Sequence, residues 1–189
     1  MTSAPLWGNF VGYADEDFLA FGLLAAGGLY VPAFYHSTQA VEKYLKALAL
    51  SITDPSGAFA TPDTEKWLKT HDLSKLATRC GTKYPFYLSQ DISVLMRRFS
   101  EFDQAARYPW IDQKHGNGFN TSDVPIFGSL ICQLRNDIPI AVDNYKLGME
   151  VRGHFHLGKT PDHTWSSYSH QAVEALRKLF PNLDSFVRQ

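Results

Sequence analysis

A helical period recurs along this 189-residue chain, and no stretch alternates apolar and polar residues for long enough to read as a strand. It is plainest around HSTQAVEKYLKALAL, residues 36 to 50. There Phe34, Val41, Leu45 and Leu48 recur at helical intervals, with a stripe of mostly small residues, Ala33, Ala40, Tyr44 and Ala47, beside them. Two adjacent apolar stripes imply more than one packing partner. Pro32 stands in the first turn, where a missing N–H removes no helical bond.

The flanking sequence divides into further helices. After about a dozen irregular residues, ADEDFLAFGLLAAGG predicts a short helix with carboxylates in its first turn, a Phe18, Phe21 and Leu24 rhythm, and a Gly27-Gly28 stop. Residues 53 to 64, rich in breakers, predict a loop. THDLSKLATRC predicts a third helix capped by Thr70 or Asp72, with Leu73, Leu76 and Ala77 inward. A fourth helix follows from Tyr84, with Ile92, Leu95, Phe99, Phe102 and Ala106 in period until Pro109 forbids continuation. Residues 109 to 121 read as a long loop. Ser122 and Pro125 then open a fifth helix, in which Pro139 crowds the carbonyl of Arg135 and predicts a kink there. Beyond Gly153 the chain is irregular apart from a short amphipathic helix in HQAVEALRKLF, and no internal repeat is present.

Composition narrows the functions open to such a fold. Eighteen Lys and Arg against 19 Asp and Glu give a formal charge of -1, so no global field draws in a polyanion and any phosphate site must be a local patch. Hydrophobic content of 44% fits a packed globular chain, long enough for one substantial core. No run of about 18 apolar residues suggests a membrane span, and the start MTSAPLWGNF lacks signal-peptide character, so a cytoplasmic location is expected. Cys80 and Cys132 stand apart from any ligand-spaced partner and read as free thiols. His154, His156, His163 and His170 lack nearby ligands at recognisable spacing, so no metal and no cofactor is expected.

The order and spacing of QAVEKYLKALAL on the second helix, THDLSKL opening the third and ARYP ending the fourth resemble the HEPN family. The resemblance covers roughly residues 12 to 152 and leaves 153 to 189 as a C-terminal extension. It implies an all-α, up-and-down bundle of four to five helices, usually a homodimer, that binds nucleotides or RNA. It also implies association with nucleotidyltransferases in toxin and antitoxin pairs. For the homodimer, the stripe Ala33, Ala40 and Ala47 is the sequence feature that agrees. The family's enzymes are metal-independent ribonucleases marked by an arginine and a histidine separated by four to six residues. Here Arg135-Asn136 supplies the start, but Pro139 to Val142 occupy the place of the histidine. Arg107 reaches His115 only across seven residues and a proline.

The loss bears on chemistry, because 2′-hydroxyl attack needs a base near neutral pH and a cation for the phosphorane. Arginine alone grips phosphate without turning it over. The reading is therefore a binding module, with Lys43, Lys46, His71, Arg107, Tyr108 and Arg135 as candidate phosphate-binding residues. His36, Gln39, Lys43 and Lys46 share one helix face, which either borders a groove or meets water with Glu42 and Lys46 as an i,i+4 pair. His71 and Asp72 lie at a helix start suited to capping or to phosphate. Tyr84, Phe86, Tyr87, Tyr108, Trp110 and Phe119 are open to base stacking or to packing. Two alternatives stay open: a ribonuclease using Arg107 or Arg135 with His115 or a histidine of the other subunit, and a dimer that only docks another protein.

Overall fold

In the structure, a computed structural model, the described residues are 6–54, 62–107 and 123–138, with Lys178 beyond them. They form six α-helices and one 3₁₀ turn: α1 (Leu6–Ala26), α2 (Tyr30–Thr53), α3 (Pro62–Leu68), α4 (Leu73–Gly81), the 3₁₀ turn Pro85–Leu88, α5 (Gln90–Arg107) and α6 (Asp123–Asp137). No strand occurs among them, and the fold is an all-α bundle. No described helix is long and apolar enough to cross a membrane.

The bundle is organised on α2, fifteen of whose 24 residues are buried. A helix buried on most of its circumference needs partners on several sides, and α2 packs on α1, α4, α5 and α6. Its most extensive partner is α1, which returns antiparallel through a tight turn. Gly28 makes that turn possible with φ +76°. Its N–H donates to the Ala25 carbonyl at 3.1 Å and the Leu29 N–H to the Leu24 carbonyl at 2.9 Å. These two bonds satisfy carbonyls that the helix end would otherwise strand, in a left-handed geometry that glycine adopts without penalty.

The first helix begins earlier than the sequence suggests. In place of a dozen irregular residues, α1 is helical from Leu6, and Trp7, Val11, Ala14, Phe18, Phe21 and Ala25 form one continuous buried seam. Gly8 and Gly12 weaken the local propensity by about 1 kcal/mol each, but the seam continues through them against α2. The loop expected over residues 53 to 64 also gives way, at Pro62, to the short helix α3.

Three phenylalanines, all fully buried, tie the remaining helices to α2. Phe34 meets Phe127 edge-on at 5.3 Å, and Phe99 lies 4.2 Å from Phe127. Thr38 adds a hydroxyl that donates to the Phe99 carbonyl at 3.3 Å. On α4, Leu73, Leu76, Ala77 and Cys80 face inward, and Asp72 caps the helix by accepting from the Lys75 N–H at 3.1 Å. The fourth expected helix is divided, because its first residues form the 3₁₀ turn and Ser89 separates them from α5. Tyr84 and Tyr87 hydroxyls donate to the Asp137 carbonyl and carboxylate at 3.1 and 2.7 Å, pinning the end of α6 to that turn. α6 extends through Arg135 to Asp137, and the kink expected there from Pro139 involves the stretch from 139, outside the described residues. The loop from 109 to 121, the continuation of the fifth helix from 139 and, apart from Lys178, the C-terminal extension lie outside the described residues.

Candidate functional site

Three carboxylates take up the cations that the helical row and α6 present. On the α1 side of the row, His36 Nδ1 donates to Asp17 Oδ1 at 2.8 Å, and Lys43 Nζ donates to the other oxygen of the same carboxylate. An ionised carboxylate only accepts, so the histidine proton sits on Nδ1. The exposed ends of this trio remain partly in water, with His36 and Lys43 each about a third exposed.

Further along α2, Lys46 Nζ donates to Glu42 Oε1 at 2.7 Å, the i,i+4 pair that the spacing implies. It is no solvated face, because both side chains are under a tenth exposed. His71, at the approach to α4 and 70% exposed, closes over the pair with Nδ1 3.1 Å from both Glu42 oxygens.

Arg135 is the most firmly held. Its Nε and Nη2 donate to Asp15 Oδ1 and Oδ2 at 2.7 and 3.0 Å, a bidentate fork onto a carboxylate that is fully buried. The Tyr44 hydroxyl donates to Oδ1 as well. Burial disfavours the guanidinium charge, but the Asp15 charge and hydrogen bonds outweigh it, so the Arg135 pKa is held above its ordinary value. A buried pair with one member removed leaves an uncompensated charge, which is why such a fork resists being opened by a ligand.

The bundle thus places Lys43, Lys46, His71 and Arg135 in three separate clusters rather than in one groove, each against a carboxylate of the same chain. Arg107 ends α5, while Tyr108 and His115 lie outside the described residues. Ala33, Ala40 and Ala47, the stripe expected to favour a dimer, are fully buried within one chain and are not available to a second copy. Tyr84 and Tyr87 are engaged by Asp137, and burial followed by that carboxylate pushes the Tyr87 pKa up. Burial likewise pushes the Cys80 thiol up to about 12, leaving it unreactive as a nucleophile. Among the described residues no cluster of three or more His, Cys, Asp or Glu could hold a metal ion.

Sequence reasoning passed over Asp15, Asp17 and Tyr44, reading the acids as first-turn carboxylates. The cue was register. Asp15 falls four residues after Val11 and three before Phe18, on the apolar side of α1, where a carboxylate requires a cation from another element.

An all-α bundle packed around one central helix defines the class. Compared with known families, residues 10–123 match the HEPN domain, a span of more than half the chain, and the protein belongs to the HEPN domain family. No curated protein and no solved structure matches the chain significantly.

Proposed function

We propose that this HEPN domain binds RNA or nucleotide phosphates without cutting RNA by the family's arginine–histidine chemistry. The observation that carries the reading is the Asp15 fork on Arg135. The arginine that best fits the catalytic start is engaged at both oxygens of a buried carboxylate, and no histidine follows it before His154. Asp15 takes the Nε–Nη2 edge, one of the two edges through which a guanidinium grips phosphate oxygens in a fork. Binding then falls to cations other than Lys43, Lys46 and Arg135, which carboxylates hold.

A second reading, docking of a protein such as a second copy or a nucleotidyltransferase, draws on a different feature. Leu23, Leu29, Tyr30 and Val31 at the α1–α2 turn are exposed large apolar residues, an arrangement common at contact surfaces.

The test is to incubate the purified chain with transfer and messenger RNA in EDTA and to run denaturing and native gels. Retarded but intact RNA is the expected result. Cutting would overturn the reading, and RNA neither retarded nor cut would favour protein docking.

A further inference from the structure

The cations of α2 and α6 are neutralised, but among the described residues most of those around α4 are not. Residues 66 to 84 carry Lys66, Lys69, Lys75, Arg79 and Lys83 against a single carboxylate, Asp72, in a chain of formal charge -1. All five basic side chains belong to exposed residues. Asp72 pairs with Lys75 at 3.2 Å, and among the described residues Lys69, Arg79 and Lys83 meet no carboxylate. Lys75 and Arg79 lie one turn apart, about 6 Å along the axis, on the exposed side of α4, roughly 100° around the helix from the buried Leu76 and Cys80.

Aromatic rings stand among these charges. The Arg79 guanidinium carbon lies 4.8 Å from the Trp67 ring centre, and Lys83 Nζ lies 5.3 Å from that of Tyr84. A guanidinium layered on an indole keeps its outer plane open to a further flat group. Two residues past Tyr84, Phe86 is 50% exposed. Unpaired nucleobases on a phosphate backbone use both the charge and the flat rings beside it.

The geometry points to the outer face of α4, with Trp67 and Phe86 at its margins, as a binding surface for single-stranded RNA. Lys69, Lys75, Arg79 and Lys83 contact phosphates and Phe86 stacks a base. The inference rests on the RNA-binding reading above and supplies its site.

The experiment is fluorescence anisotropy of the full chain with a labelled 12-nucleotide single strand and with its duplex, over a salt series. The variants are Arg79→Glu/Lys83→Glu, Lys69→Glu/Lys83→Glu, Phe86→Ala and, as an exposed α5 control, Arg97→Glu, each checked by thermal unfolding. The expected result is affinity for the single strand at least about tenfold weaker in both double variants, with a salt slope smaller by about 1.4 for two lost contacts. Phe86→Ala weakens the single strand about fivefold or more and the duplex little, and Arg97→Glu leaves both unchanged. Wild-type binding with either folded double variant unaffected overturns the site while the RNA-binding reading stands. Equal loss on single strand and duplex in Phe86→Ala overturns the single-strand assignment. A wild type that binds neither form overturns the reading and this inference with it.

Discussion

Arg135 and Asp15 lie 120 residues apart in sequence and meet through two hydrogen bonds in the interior. Taking such charges out of water is costly, and the bidentate fork together with the Tyr44 hydroxyl, which serves a third lone-pair direction, offsets that cost. Arg135→Ala is expected to destabilise the fold by about 3–5 kcal/mol. Tyr44→Phe, which removes one hydrogen bond to a charged group, is expected to cost about 1.5–3 kcal/mol. Urea unfolding of the two variants checks both values. A loss of RNA binding in Arg135→Ala has to be read against that loss of fold. The sequence displayed Arg135 and the carboxylates of ADEDF separately; their pairing depends on how α1 and α6 both lie against α2, which no local pattern encodes.

Helix boundaries follow the same division between what is local and what is not. The Asp72 cap of α4 is read directly from THDLSKL, because the capping bond spans three residues. Partial burial pushes the Asp72 pKa up, but the Lys75 amide and ammonium and the Ser74 amide outweigh it and hold the carboxyl below its ordinary 3.8. A carboxyl with a lowered folded-state pKa adds stability above its unfolded value and loses it as pH falls through the folded one. Asp72→Ala is therefore expected to cost about 1 kcal/mol near neutral pH and to flatten the fall in stability as pH drops below the ordinary carboxyl value of 3.8. Urea midpoints of wild type and variant across that range test this. The first two turns of α1 were illegible for the opposite reason: Gly8 and Gly12 lower local propensity, and only the seam against α2 makes them helical.

At the scale of the molecule, α2 sits in the centre, and three carboxylates from α1 and α2 hold the cations of the α2 row, His71 and Arg135. The all-α class, the periods of α2, α4 and α5 and the Gly28 turn were legible, since each is written within a few residues. The candidate site was legible only as a set of residue types. Lys43, Lys46, His71 and Arg135 are where a phosphate reader looks first, yet their neighbours across the bundle decide what they do. The α4 face was overlooked because its Lys75, Arg79 and Lys83 spacing is ordinary for a solvated helix, and Trp67 and Tyr84 acquire meaning only beside them.

The most direct test of this account is a double-mutant cycle on Asp15→Asn and Arg135→Gln, measured by urea unfolding with RNA binding followed in parallel. Each single variant is expected to lose about 3–5 kcal/mol, and the double variant far less than their sum, with a coupling above about 1 kcal/mol. Effects that add within about 0.5 kcal/mol, with Arg135→Gln as stable as wild type but unable to bind RNA, would contradict the account and return Arg135 to the binding site.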